Sequence, residues 1–331
     1  MKKTESAQLK LFNDLKSKLP AHISLVDEVS TLLDISADSA YRRIRGEKQL
    51  TMDELCVLCQ KYQISLDAYL NISSGIILFK GNLVKPGSFR FDAYLNNMLS
   101  VLKVANSFTN RELFSIAKDI PPFHHYQFPL LASFKIFFWM KSLFQFPEFV
   151  TVKFKKGIID EQLLEIGRQV CIEYIKIPST EIWNAETINS SIRQLTVYKE
   201  MGEFESDAIY NELVDTLMAE IDHFERQTEA GFKFYYGSEP NGVSNSYNFY
   251  VNEVTLGDNT FLVNTDETKR VFISHNILNY LGTADNDFCN YTYNSLHNLM
   301  QKSYLISNTV EKERKKLFNG LRRKATTPAV A

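Results

Sequence analysis

The chain has 331 residues, of which 44% are apolar, so it is long enough for two or three domains with a substantial core. Its formal net charge is only −2, which excludes a global positive field and means that any nucleic-acid binding has to come from a local basic surface. Four cysteines are too few for a disulfide scaffold, and the start of the chain lacks the apolar stretch of a signal peptide. We therefore expect a cytoplasmic protein.

The first seventy residues have the spacing and punctuation of five short helices. Ser36 is placed to cap the third helix, and Gly46 is placed to end it. Thr51 and Glu54 form a capping box for the fourth helix, and Ser65 is placed to begin a fifth. Short helices joined by tight turns are what a helix-turn-helix domain requires.

The second and third helices are predicted to form the helix-turn-helix unit itself, over about residues 24–46. Asp34 stands in the turn, where it tolerates the positive φ that such a turn needs. Ile35 is expected to plug the turn against the core, while Ala40 and Ile44 give the third helix its inward side.

The run from Leu25 to Leu70, which contains LLDISADSAYRRIRGEKQL, resembles the Cro and phage-repressor-like (XRE) family of helix-turn-helix transcriptional regulators. Its AYRRIRGEK segment is similar to regulators of the Bacteroidetes lineage. The resemblance implies a five-helix, lambda-repressor-like domain whose third helix enters the major groove of double-stranded DNA. Residues 75–324 are similar to the remainder of those regulators, a likeness that implies no ligand and no activity.

By position, this resemblance assigns the DNA contacts to the third helix and the loop after it. Arg42 is able to make a bidentate contact to guanine, and the neighbouring basic residues suit phosphate contacts. The predicted DNA-binding residues are Ser36, Ala37, Asp38, Ser39, Tyr41, Arg42, Arg43, Arg45 and Lys48. Residues 1–70 carry ten Lys and Arg and ten Asp and Glu, so we expect weak binding by a monomer and a homodimer on two half-sites.

The remainder of the chain is divided by a change in hydrophobic period. After the helix-turn-helix domain at 1–72 and a linker at 73–91, residues 92–230 have helical spacing and predict a helical bundle or array. Residues 231–325 change to a period of two with turn clusters, which predicts a small α+β unit with an antiparallel meander and a basic terminal helix. Within this unit, residues 232–236 are predicted to form a strand and residues 276–281 a helix. The predicted fold class is therefore mainly α.

An aromatic run from Phe128 to Phe146 is the most membrane-like window of the sequence. Lys135 and Lys141 interrupt it, and each charge at mid-membrane costs roughly 2.5–3.5 kcal/mol on insertion scales. We therefore predict a buried amphipathic helix and no membrane partner.

No residue pattern predicts catalysis, a cofactor or a metal. The sequence contains no GxGxxG, GxxxxGK[ST], GxSxG or HExxH motif. His124 and His125 lack an evident third ligand, and the CxxC at Cys56–Cys59 has no second pair to complete a zinc site. The protein is accordingly predicted not to be an enzyme.

The leading hypothesis is a dimeric, sequence-specific DNA-binding regulator whose C-terminal regions serve dimerisation and signal sensing. An alternative is a protein–protein interaction module that reuses the helix-turn-helix fold without DNA binding, which the neutral charge of residues 1–70 keeps open. A third hypothesis, compatible with the first, is a sensor that binds a small-molecule or peptide effector in the aromatic middle region.

Overall fold

In the computed structural model the chain forms two compact units, Met1–Ile77 and Leu78–Ala331. The structure describes residues 6–19, 23–62, 64, 66, 77–81, 89–253, 257, 259–276, 279–308 and 310–326. The predicted start of a fifth helix at Ser65 and most of the predicted linker at 73–91 lie outside the described residues.

The described part of the N-terminal unit contains four helices around one small core. They are α1 (Ala7–Lys18), α2 (Leu25–Leu33), α3 (Ala37–Ile44) and α4 (Met52–Tyr62). Apolar side chains from all four helices meet in this core, among them Leu11, Phe12, Leu15, Val29, Ala40 and Leu58. Because each helix is short and has one apolar side, burial of that side rather than helix propensity stabilises the unit.

The C-terminal unit is organised by a sheet in which the described residues form seven strands. The strands are β1 (Arg111–Ile116), β2 (Ser179–Trp183), β3 (Tyr247–Val251), β4 (Thr260–Thr265), β5 (Lys269–Asn276), β6 (Asn279–Thr283) and β7 (Tyr304–Leu305). Their order across the sheet is β6–β5–β4–β1–β2–β3–β7. The β1–β2 and β2–β3 pairs are parallel, and the other pairs are antiparallel.

Helices precede β1, separate the parallel strands in sequence and flank β7. Those between β1 and β3 connect parallel neighbours, as parallel pairing requires. The helices are α5 (Phe91–Asn106), α6 (Pro122–His125), α7 (Pro129–Phe138), α8 (Pro147–Val150), α9 (Glu161–Ile175), α10 (Asn189–Glu200), α11 (Asp207–Ala230), α12 (Asn286–Gln301) and α13 (Glu311–Thr326). A π-helical turn, Trp139–Leu143, continues α7.

The prediction of a mainly α fold, with a central helical bundle and a separate small α+β unit, is wrong. Strands β1 and β2 lie within residues 92–230, which were predicted to be helical, and they share one sheet with strands from residues 231–325. Leu113 and Ile116, spaced three apart as on a helix, belong to β1. All five residues of β2 are buried, so this strand lacks the alternation of polar and apolar residues that identifies a half-exposed strand.

Two further segments of the C-terminal unit differ from their predicted secondary structure. Residues 232–236, rich in aromatic residues and predicted as a strand, form no regular element. Residues 276–281, predicted as a helix, fall at the end of β5 and the start of β6, apart from the undescribed residues 277 and 278.

The basic terminal helix α13 packs against α11 instead of standing free in solvent. Phe318 and Leu321 are fully buried. Arg322 Nε lies 2.7 Å from Asp222 Oδ1, and its guanidinium also donates to Glu225. Much of the positive charge of this helix is thus neutralised within the C-terminal unit.

The aromatic run lies in α7 and the π-helical turn, and most of α7 is buried. Lys135, in the middle of it, is only 3% exposed. Every helix in the described residues is too short or too polar to span a bilayer.

Two buried histidine–carboxylate pairs join α6 to the sheet and to α11. His124 Nε2 is 2.9 Å from Oε1 of Glu181 on β2, and His125 Nδ1 is 2.9 Å from Oε1 of Glu220 on α11. The adjacent histidines therefore diverge to separate partners. Within the described ranges, no cluster of three His, Cys, Asp or Glu side chains could hold a metal ion.

A third buried histidine, His223 on α11, links the folded state to pH. Its Nε2 lies 3.0 Å from the Phe234 carbonyl oxygen, and its Nδ1 has no hydrogen-bond partner among the described residues. Burial lowers the pKa of His223 from 6.5 to about 4, and burial also lowers the pKa of His125. Between these pKa values the unfolded chain binds protons that the folded chain does not. The free energy of unfolding that depends on neutral histidine is therefore greatest above pH 6.5, and it decreases as pH falls towards 4.

We expect the free energy of unfolding of the C-terminal unit to fall by roughly 2 kcal/mol between pH 7 and pH 5 through His223 alone. Urea denaturation followed by tryptophan fluorescence measures this, because both tryptophans, Trp139 and Trp183, lie in that unit. His223→Gln should reduce the loss of stability on acidification, whereas replacing the exposed His275 by Gln should leave it unchanged. An equal loss in wild type and His223→Gln would contradict the assignment.

Candidate nucleic-acid interface

The turn between α2 and α3 is closed by backbone and side-chain hydrogen bonds. Asp34 has φ 51° and ψ 51°, the left-handed conformation predicted for it. The Ile35 N–H donates to the Ser30 carbonyl at 3.1 Å, and the Ser30 hydroxyl donates back to the Ile35 carbonyl at 2.6 Å. Because Ile35 is also half-buried against the core, α3 leaves the turn in a fixed direction.

Both ends of α3 are capped as the sequence predicts. Ser36 Oγ accepts a hydrogen bond from the Ser39 N–H at 3.3 Å. At the other end, Gly46 has φ +75° and donates to the Arg43 carbonyl at 3.0 Å. The next N–H, from Glu47, donates to the Arg42 carbonyl at 2.9 Å, which completes a Schellman motif. These caps stabilise a helix of only eight residues.

One side of α3 is buried and the opposite side is exposed. Ala40 is completely buried in the core. The exposed side, here called the recognition face, consists of Ala37, Asp38, Tyr41, Arg42 and Arg45. Its members recur at the spacing of one helical side, so a single rigid element presents all of them together.

Arg43, predicted to contact phosphate, does not belong to the recognition face, because its side chain is turned into the unit. The side chain is 4% exposed and forms a bidentate ion pair with Glu54 of α4, with Nη2–Oε1 at 2.6 Å and Nε–Oε2 at 2.9 Å. Its third donor, Nη1, bonds to the Ser39 carbonyl at 3.1 Å. The hydrogen bonds from Arg43 hold the pKa of Glu54 below its usual range, which keeps the pair charged at neutral pH.

Glu54 also completes the predicted capping box of α4. Its Oε2 accepts from the Thr51 N–H at 3.0 Å, and its N–H donates to Thr51 Oγ1 at 3.2 Å, which confirms that prediction. One carboxylate therefore caps α4 and anchors α3 to it.

Gln8 on α1 is a positioning residue that the sequence did not reveal. Its Nε2 donates to the carbonyls of Arg43 at 2.7 Å and Lys48 at 2.8 Å, and its Oε1 accepts from the Leu50 N–H at 3.1 Å. These bonds fix the loop after α3 from a helix about forty residues away in sequence. No local signal marks such a contact, because it exists only once the three helices pack together.

The charges of the recognition face differ in how far they are engaged. Among the described residues, the Arg42 guanidinium has no hydrogen bond or ion pair. The Arg45 guanidinium lies 5.5 Å from the centre of the Tyr41 ring, and its Nε lies 3.3 Å from Glu47 Oε1. Lys48 is exposed beside this face on the anchored loop. A partner that bound Arg42 would therefore break no existing contact of its guanidinium.

Comparison of the chain with known proteins gave no matching family model, no similar curated protein and no similar solved structure. The likeness of Leu25–Leu70 to XRE regulators therefore depends on the residues of that run alone, among them the segment AYRRIRGEK. The arrangement of the recognition face is the physical ground for a functional proposal.

We expect Arg43→Ala to destabilise the N-terminal unit by about 3 kcal/mol, because it leaves the carboxylate of Glu54 without its partner. Hydrogen exchange of the α3 and α4 amides in the full chain measures this local loss. The neighbouring Arg42→Ala should change the same protection by less than about 0.5 kcal/mol, because it breaks no contact. Equal effects of the two substitutions would show that the Arg43–Glu54 pair does not anchor α3.

Proposed function

We propose that this protein is a sequence-specific, DNA-binding transcriptional regulator that acts as a cytoplasmic homodimer. The observation that carries the proposal is a doubly capped helix, α3, that follows a tight turn and presents Arg42 unpaired on its exposed side. An α-helix of this kind fits the major groove of B-DNA, where base edges differ among the four base pairs.

Within this proposal the residues of α3 have different roles. Arg42 reads a guanine through its O6 and N7 atoms, and Tyr41 and Asp38 flank it on the same face. Arg45 and Lys48 contact phosphates, which positions the helix without reading sequence. Ser36, Ala37 and Ser39 lie at the start of α3, where Ser36 Oγ already serves as the N-cap.

The small number of available cations favours a dimer. With Arg43 committed to Glu54, the recognition face and the loop after it offer Arg42, Arg45 and Lys48 beside acidic residues. Each phosphate contact adds to affinity through the release of counterions, so a single unit binds weakly. Two copies on half-sites one helical turn apart double these contacts and supply specificity.

The same shortage of free positive charge favours a second candidate, a protein–protein interaction module without DNA binding. The two candidates differ in their response to salt. DNA binding that neutralises Z phosphates gives a log–log slope near −0.9Z against salt concentration, whereas an interaction module shows no binding to duplex DNA.

The test of DNA binding begins with selection of duplexes from a random-sequence pool by the full-length wild-type protein. We expect Arg42→Ala to weaken binding to the selected duplex by about tenfold to a hundredfold, measured by fluorescence anisotropy, and to relax the preference at one base pair. Lys61→Ala is the matched control, because it removes one exposed positive charge of the same unit from α4.

Lys48→Ala should instead weaken binding to all duplexes alike and reduce the salt slope by about one. The proposal fails if no sequence is enriched, or if Arg42→Ala and Arg45→Ala leave both affinity and base preference at wild-type values.

A further inference from the structure

A small polar pocket lies in the C-terminal unit, beyond the carboxyl end of strand β1. Its walls come from the loop after β1, from α6, from the junction of α7 with the π-helical turn, from α10 and from β6. Its cavity volume is about 30 Å³. Since roughly 10–15 Å³ of such space accommodates one water, the pocket has room for the two oxygens of a carboxylate.

Lys135 places a buried positive charge in the wall of this pocket. Its side chain is 3% exposed, and Nζ donates to Ser191 Oγ at 2.7 Å and to Gln194 Oε1 at 2.8 Å. Both acceptors are neutral, and in the described part of the chain no carboxylate lies within ion-pair distance of Nζ. Lys141, about one and a half turns further along the helix, differs from Lys135 because its ammonium forms an ion pair with Glu203. A buried ammonium without an anion is costly, and one of its three N–H groups has no acceptor.

Trp139 supplies a second donor without a partner. Its indole N–H is buried and, among the described residues, has no hydrogen-bond acceptor. The side chain lines the same pocket as Lys135, and it begins the π-helical turn, a distortion that is frequent at functional sites. Because an indole N–H can only donate, it requires an acceptor, as the free N–H of Lys135 does.

The other charged groups around the pocket restrict what it accepts. Asp119 stands in the wall on the loop after β1, and His125 faces the pocket while its Nδ1 is bonded to the carboxylate of Glu220. The negative charge of Asp119 opposes a ligand with two negative charges more strongly than a ligand with one.

We propose that this pocket binds a small monocarboxylate, whose carboxylate accepts hydrogen bonds from the Lys135 ammonium and the Trp139 indole. In a DNA-binding regulator such a site would serve signal sensing, but carboxylate binding does not depend on DNA binding by the N-terminal unit. A failure of either proposal therefore leaves the other standing.

Binding is tested on the full-length protein with formate, acetate and propionate, at constant ionic strength, by tryptophan fluorescence and thermal shift. Acetamide is the neutral control of the same shape as acetate, and inorganic phosphate and chloride test other anions. We expect saturable binding of at least one carboxylate and none of acetamide. Equal responses to acetate and acetamide, tighter binding of phosphate or chloride, or no response to any carboxylate would overturn the proposal.

Two substitutions assign the binding to the named donors. Lys135→Met should weaken carboxylate binding at least tenfold, and Trp139→Phe should weaken it severalfold, because it removes the N–H donor while keeping an aromatic ring at this position. Lys302→Met, which removes an exposed charge elsewhere in the same unit, is the control. Wild-type affinity in both Lys135→Met and Trp139→Phe would overturn the proposal. If Lys135→Met does not fold, Trp139→Phe and the comparison of acetate with acetamide still decide it.

The pH dependence of binding is a further readout. Burial lowers the pKa of Lys135 to about 8, while the nearby charges of Glu220 and Asp119 act to raise it. Of the other titratable groups in the wall, Tyr280 has its pKa raised by burial and His125 has its pKa lowered by burial, so both stay neutral in this range. Carboxylate affinity in the wild type should therefore fall as pH rises from 7 to 9. An affinity that is constant over this range would exclude the Lys135 ammonium as the binding group.

Discussion

The ion pair between Arg43 and Glu54 determines which side of α3 reaches solvent. Glu54 simultaneously caps α4 and receives two hydrogen bonds from a guanidinium that is almost entirely buried. Rotation of α3 about its axis would break this pair and expose Ala40, so α3 has one stable orientation. In that orientation Arg42 and Arg45 point outward. The proposed reading of DNA by these residues depends on this single anchored contact.

Each unit contains a buried cation, Arg43 in the first and Lys135 in the second, and the two cations differ in their partners. In the N-terminal unit, Arg43 has a carboxylate and a carbonyl as partners within the fold, so it serves stability and is unavailable to a ligand. In the C-terminal unit, Lys135 is satisfied only by neutral acceptors and lies next to the unpartnered indole of Trp139. A stabilising charge has its partner within the fold, whereas an unmatched one beside a pocket points to a partner from outside.

Much of the helix-turn-helix unit could be predicted because its determinants are local. The caps at Ser36 and Gly46, the left-handed residue Asp34 and the capping box of α4 each depend on residues within a few positions of one another. The burial of Arg43 could also be predicted from the sequence, since Arg43 follows the inward-facing Ala40 by three residues and precedes the inward-facing Ile44 by one. The positive charge of Arg43 favours an outward position, whereas the helical period places it on the inward side.

The helices, caps and turn of the first unit follow from the amino-acid order alone, because short-range hydrogen bonds and one-sided apolar spacing decide them. The pairing of β1 and β2 with strands more than sixty residues away is visible only in the folded chain, since strands buried on both faces lose the alternation that identifies them. Folding also brings Lys135 and Trp139 together with α10 and the loop after β1. Such contacts follow from packing between distant segments, and no spacing within one segment encodes them.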